Sequence, residues 1–310
     1  MEVLISKIFK SRYSRTAADC SLIFVTLIWG LTFVTVKNAI DYLPPHTFNF
    51  YRFTLATAFM LLFCWSRRQH MSKELLLKGG VIGIFLFAGY AFQTVGLKYT
   101  SASNAGFITG LAVVLVPVIN AFMTKKLPAI PVILGVASAT LGLAFLSLGD
   151  QFVLNMGDIL VLFCAVSFAL HIIFVGKYTF KFDTVLLVTV QIAVVAALSG
   201  LFALAEKSNQ ASFTNTKEVL MALLITAILA TCLAFLIQNY MQKFTTATRT
   251  AIIFSMEPVF AALFAVVLLQ EILSARAWWG GALVVLGMIL SELKLKHIFK
   301  QNDPKQDIMG

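Results

Sequence analysis

Charge is what this chain of 310 residues has least of: Asp, Glu, Lys and Arg together make up 12% of it, about half the share in ordinary soluble domains. No polar stretch is long enough to bury a core of its own, which excludes a soluble catalytic domain hung from an anchor. Cysteine is scarce too. Cys20, Cys64, Cys164 and Cys232 sit in or beside apolar runs without CxxC spacing, so they read as packing residues and not as a disulfide frame or a metal set. The chain contains no HExxH, no GxxxxGK[ST] and no GxSxG, and of its four His only His171 lies deep in an apolar run. Nothing here calls for a cofactor, a metal or an enzyme's catalytic set.

What the chain has in abundance is apolar length. Hydrophobic residues make up 59% and the mean hydropathy is +0.89. A helix crossing the hydrocarbon layer uses about 20 residues, so ten crossings use about 200 and leave the rest for short loops. A 19-residue window predicts spans at 19–39, 46–65, 76–97, 103–124, 130–148, 157–177, 183–205, 218–240, 247–269 and 276–295. Runs this long are not strands of an outer-membrane barrel, which alternate in segments of about ten residues. Helices satisfy every backbone amide internally. The expected fold class is therefore an all-α polytopic membrane protein. Lys7, Lys10, Arg12 and Arg15 precede the first run, which is too long for a signal peptide and lacks a cleavage motif, so an uncleaved first span is expected.

The net charge of +10 does not mark a nucleic-acid binder, because the basic residues are scattered between apolar runs. The partner they point to is the lipid bilayer. With the N-terminus in the cytoplasm, eighteen Lys and Arg fall on cytoplasmic segments and five outside, with Arg52 inside a span. That bias places both termini in the cytoplasm.

An offset of 145 aligns Gln93 with Gln238, Lys98 with Lys243, Thr100 with Thr245, Gly135 with Gly280 and Gly142 with Gly287; an offset of 139 brings Asp19 onto Asp158 and Trp29 onto Phe168. Such matches predict an internal repeat: a cytoplasmic N-terminal segment (1–18), a first five-helix repeat (19–148), a second one (149–295) and a cytoplasmic tail (296–310). An odd number of spans per repeat inverts the second half, the design of many secondary transporters.

Gly96 to Pro117, GLKYTSASNAGFITGLAVVLVP, and Gln242 to Phe260, QKFTTATRTAIIFSMEPVF, together with IWG at Ile28 to Gly30, YRFTLA at Tyr51 to Ala56 and LGxxL-type last spans, resemble the EamA-type branch of the drug/metabolite transporter superfamily. The resemblance covers about residues 19–293. It implies a central cavity walled by spans 1, 3, 4, 6, 8 and 9, and outward transport of a small metabolite. Lacking a nucleotide loop, such a carrier runs on an ion gradient or on its substrate's own gradient.

Of the fourteen acids, only Glu257 lies mid-span, and it precedes Pro258. An intramembrane carboxyl is a functional candidate by default, here for a substrate amine or a coupled proton; its alternative is capping the kinked backbone. Pro117 and Pro258 free the carbonyls of Val113 and Phe254 and are expected as hinges. Gln93, Asn104, Asn120, Gln238 and Asn239 are amides that join helices or touch substrate, and Trp29, Tyr90, Phe107, His171 and Tyr240 are candidate pocket walls. Arg52 and Arg249 read as interfacial anchors, Arg52 by snorkelling, and Ala102, Gly106 and Gly110 as a close-approach stripe. The expected function is a secondary transporter of the bacterial inner membrane that exports an amino acid or related amine by alternating access. The alternatives are an importer or exchanger of a phosphorylated or nucleotide-linked metabolite, for which buried cations are few, and an intramembrane enzyme on lipid-linked substrates. The sequence gives no oligomeric state.

Overall fold

The computed structural model describes residues 2–147, 155–206, 216–269 and 274–292, and these are helical with no strand among them. In chain order the helices are α1 (Glu2–Ala39), α2 (Pro45–Cys64), α3 (Lys73–Gly96), α4 (Ala102–Gly110), α5 (Ala112–Thr124), α6 (Ile130–Ser147), α7 (Met156–Tyr178), α8 (Thr184–Ala203), α9 (Thr216–Leu224), α10 (Ala234–Met241), α11 (Ala247–Phe254), α12 (Glu257–Leu269) and α13 (Ala275–Glu292). A π-helical stretch, Ile225–Leu233, joins α9 to α10. Eight segments are long and apolar enough to cross a membrane, and Ile130–Phe145 and Ala275–Ser291, where the fifth and tenth spans are expected, are apolar but shorter. The expected boundary between halves, at 148, and the tail at 296–310 lie outside the described residues.

Helix starts follow their caps. Ser72 accepts from the Leu75 amide, Asn155 and Asp158 form a reciprocal capping box, and Asp183 accepts from the Val185 and Leu186 amides. Away from the bundle, α2 turns Tyr51, Leu55, Phe59 and Leu62 outward at 38–72% exposure; a stripe of large apolar side chains at helical spacing is a surface for lipid tails.

Glycines set the closest packing. On α3, Gly79 and Gly83 meet Val190 and Val194 of α8, while Gly89 meets the Phe168 ring and Gly96 meets Val161 of α7, so α3 wedges between those two helices. Between α6 and α13, a Cβ on Gly135 would lie 2.7 Å from the Gly287 carbonyl, and one on Gly142 2.6 Å from that of Gly280. At offset 145 Gly135 is equivalent to Gly280 and Gly142 to Gly287, so each meets the other's counterpart. Midway between them, Ser138 Oγ donates to the carbonyl of Leu283, its own counterpart, at 2.8 Å. Reciprocal contacts around a self-paired point are the pattern of a local two-fold axis.

Two ends of the bundle need names. Face I carries the 40–44 and 97–101 turns, and face II carries the 65–72 link and the 242–246 turn.

Candidate functional site

A cavity of about 80 Å³ lies where α1, α3, α4, α7, α10, α11 and α12 converge. Its lining is nearly two-fold. At offset 139 it contains Trp29 with Phe168 and Thr32 with His171. At offset 145 it contains Tyr90 with Phe235, Gln93 with Gln238, Gly106 with Ala251, Thr109 with Phe254, Gly110 with Ser255 and Ala112 with Glu257. Residues matched by the sequence repeat thus line one cavity.

Six lining residues have no counterpart in the lining, and four of them fall at one end. Val36, Arg52, Thr94 and Leu97, near face I, line the cavity, whereas their counterparts Val175, Gln191, Asn239 and Gln242 do not and are fully buried. Towards face II a chain of amides closes the space. His171 Nε2 lies 3.1 Å from Gln191 Oε1, Gln191 Nε2 donates to Asn239 Oδ1 at 2.9 Å, Gln238 Nε2 donates to Gln242 Oε1 at 3.2 Å, and Gln242 Nε2 donates to the Ile172 carbonyl at 3.1 Å. On the same side Arg249 of α11 grips Asp19 of α1 with both ends of its guanidinium fork, Nε to Oδ1 at 2.8 Å. At face I the counterpart of Asp19, Asp158, accepts from the Thr100 hydroxyl at 2.6 Å, and Lys37 Nζ donates to the carbonyls of Leu97 and Thr100. The cavity therefore leans towards face I and is latched at face II.

Arg52, expected to snorkel, does not: it is 3% exposed. Its Nε donates to Thr231 Oγ1 at 2.9 Å and its Nη2 to Tyr90 Oη at 3.3 Å, and its guanidinium lies 4.7 Å from the Tyr90 ring centre. Those partners supply inside the bundle what the headgroups would have supplied outside. Thr231 is held in turn by the π-helical stretch, where it donates to the Thr226 carbonyl at 2.8 Å, and Trp29 Nε1 donates to the Ala230 carbonyl of the same stretch at 2.9 Å. Arg249 likewise is not a headgroup anchor but the ion-pair partner of Asp19.

Of the expected site residues, Trp29, Tyr90, Gln93, His171, Gln238, Glu257 and Pro258 come together around the cavity. Asn239 lies behind it in the latch. Phe107 packs into the apolar clusters of α4 and its neighbours, and Asn104 sits in the first turn of α4, where Ser101 caps its amide. Asn120 lies near the end of α5, Tyr240 is 49% exposed against Phe244, and Pro117 faces a separate groove between α5 and α6. The helix breaks fall at Leu111 and at Ser255–Met256, and positions 111 and 256 are repeat equivalents. Pro258 sits just after its break, but Pro117 sits six residues beyond the other, inside α5; Gly110 and a tightened last turn through Leu111 end α4 without help from proline.

Thr32, Thr94, Thr109, Phe168, Phe254, Ser255 and Arg52 line the cavity without having been expected there. Applying the two offsets to each candidate in turn would have found Phe168 from Trp29 and Thr32 from His171. Arg52 was legible only as a lone cation in a span.

The sequence signature of the EamA-like transporter family matches residues 16–148 and again 155–293. The chain belongs to the EamA-like transporter family. An uncharacterized transporter of Archaeoglobus fulgidus is 40% identical over 288 residues, covering 91% of this chain and 87% of that one, and the uncharacterized transporter YoaV of Bacillus subtilis is 22% identical, covering 87% and 94%. A solved crystal structure with 20% identity matches 89% of this chain and 96% of its own with a TM-score of 0.75, which shows a shared fold. Family and relatives are transporters, not enzymes, and the chain is an integral multi-pass membrane protein.

Proposed function

We propose that this EamA-family protein is a secondary transporter that carries a small metabolite, an amino acid or related amine, outward across a bacterial inner membrane by alternating access. The carrying observation is the cavity lined by eight pairs of repeat-equivalent residues. A site on the axis between two like halves has two states of similar energy, each the mirror of the other. In this reading the chain has ten spans in two inverted five-helix repeats, 19–148 and 149–295, with both termini in the cytoplasm. Support comes from the reciprocal glycine contacts of α6 and α13, from the two family matches, and from the Lys and Arg bias, which makes face II the cytoplasmic side. The described state is then open towards the outside and latched inside. Access from the inside requires the Gln191–Asn239 and Asp19–Arg249 bonds to part while Val36, Arg52, Thr94 and Leu97 close.

Trp29, Tyr90, Gln93, His171, Gln238 and Glu257 form the substrate site, with Asn104, Phe107, Asn120, Asn239 and Tyr240 supporting it or meeting substrate during passage. The breaks before Pro258 and before Pro117 serve as hinges, and Glu257 takes the substrate amine or a coupled proton. An exchanger of phosphorylated metabolites fits less well, because phosphate asks for several buried cations and Arg52 is the one Lys or Arg in the cavity lining, which also holds the acid Glu257. The test is counterflow in sealed proteoliposomes holding only this protein. Accumulation of labelled solute against a panel of amino acids and amines supports transport; a solute that is chemically altered without crossing the bilayer contradicts it.

A further inference from the structure

Another opening in the bundle shares no residue with the central cavity. The groove between α5 and α6 has a volume of about 560 Å³ and is lined by apolar side chains from Val114 on α5 to Val136 on α6, with Lys125, Lys126 and Pro128 at the turn that joins the two helices. That turn lies at face II, because α3 leaves the 65–72 link for the 97–101 turn and α4 and α5 run back. From Val114 to Lys125 a helix rises about 16 Å, close to half of the roughly 30 Å hydrocarbon layer. The groove thus runs through the leaflet at face II and ends at two cations. No acid lines it, both lysines are exposed, and neither has an ion pair among the described residues.

Two observations set these lysines apart from the general excess of cations at face II. Lys125 ends α5 in the left-handed region, with φ 56°, alone in this among the described non-glycine residues. Glycine is the usual residue there, and a long side chain kept against that strain points to a function. At offset 145 the equivalents of Lys125 and Lys126 are Gln270 and Glu271, so the repeat does not impose the pair of cations. An apolar trough at membrane depth that ends in uncancelled positive charge fits an anionic amphiphile. We propose that the groove holds one anionic glycerophospholipid of the leaflet at face II, with an acyl chain along Val114, Val118, Val132 and Val136 and the phosphate on Lys125 and Lys126. A zwitterionic lipid brings its own ammonium to the same end and loses that attraction. A second copy of the chain seated on the groove about a two-fold axis would set one lysine pair against the other. The site goes beyond the transport reading and does not rest on it.

The test uses the full chain, delipidated in detergent for affinities by native mass spectrometry, with dioleoyl phosphatidylglycerol as the probe and the dioleoyl forms of phosphatidylethanolamine and phosphatidylcholine as comparisons. One phosphatidylglycerol is expected to bind about fivefold or more tighter than either zwitterionic lipid. Lys125→Gln with Lys126→Gln should weaken it by about 25-fold, roughly fivefold for each lysine, and erase the preference. Lys177→Gln with Lys181→Gln, exposed near the same face but outside the groove, should change its affinity by less than about twofold. Val118→Trp, at a position already 45% exposed, fills the trough and should weaken all three lipids by about tenfold. A phosphatidylglycerol with a diazirine in its acyl chain should crosslink within residues 114–136 of the unaltered protein in nanodiscs. Equal binding of the three lipids to the unaltered protein overturns the proposal whether or not the variants fold, and so does crosslinking elsewhere. A preference that survives loss of both lysines overturns it as well, as does equal competition by glycerophosphoglycerol, the headgroup without its chains. A dimer that Val118→Trp dissociates with no lipid bound would assign the groove to a second copy and overturn it too.

Discussion

The α6–α13 seam and the central cavity treat the same repeat in opposite ways. At the seam the two halves are interchangeable: Gly135 and Gly142 meet the counterparts of each other, and Ser138 meets its own. At the cavity the helix breaks still fall at equivalent positions, 111 and 256, but the side chains diverge. Tyr90 is matched by Phe235 and Thr32 by His171, and the charged residues Arg52 and Glu257 are not repeated. In the proposed transport cycle, a frame that must look alike in two states tolerates little asymmetry, whereas a site that binds one orientation of an asymmetric solute requires it.

Equivalence at the seam is the easiest part of this contrast to break. Gly142→Leu and Gly287→Leu should each prevent the two helices from meeting and abolish folded protein on size-exclusion chromatography, since a Cβ at either site already lies within 2.6 Å of backbone. Gly142→Ala and Gly287→Ala should both lower the melting temperature, each through a loss of about 1–3 kcal/mol from overpacking, and by similar amounts. A large effect at one and none at the other would separate the two halves.

Next comes the latch. Gln191→Leu removes the link between His171 and Asn239 and strands both partners, at about 1–3 kcal/mol. Because that cost falls on the state closed at face II, the population should shift, and a cysteine at Gln242 should react with a thiol reagent faster in this background. Unchanged reactivity would remove the amides from the latch. Asp19→Asn should act in the same direction with a smaller effect, since Arg249 keeps one neutral acceptor.

Smallest is the cap of α8, outside the span. Burial pushes the Asp183 carboxyl up, but the Leu186 amide, the Arg67 guanidinium at 2.8 Å and the Val185 amide outweigh it and hold it below its ordinary value. A carboxyl lowered on folding stabilises above its unfolded pKa, and that stability is lost as pH falls through the folded one. Asp183→Ala should therefore cost about 1 kcal/mol at neutral pH, and the gap from the parent should shrink as the pH drops below about 4, read from melting temperatures.

Much of this was legible beforehand. Apolar run length gave the helices, and the Gln93–Gln238 match picked out two residues that line the same cavity. What escaped were contacts that no spacing encodes. Arg52 looked like a snorkelling cation because its partners, Tyr90 and Thr231, lie 38 and 179 residues away. Pro117 looked like a hinge because proline breaks helices, but the break follows Gly110 one and a half turns earlier, where α4 packs Gly110 against Leu143 of α6. The π-helical stretch Ile225–Leu233 has no signature in residue spacing, and its counterpart in α3, which shares no residue with it at offset 145, is regular α-helix.

Everything rests on the second half entering the bilayer upside down. Lys98 and Lys243 are repeat equivalents that lie on opposite faces of the bundle. The direct measurement replaces the exposed Cys20 with Ser, places a single cysteine at 98 or at 243, and labels sealed vesicles of known orientation with a membrane-impermeant maleimide. The account predicts labelling of position 98 from the outside alone and of 243 from the inside alone. Labelling of both from the same side would contradict it.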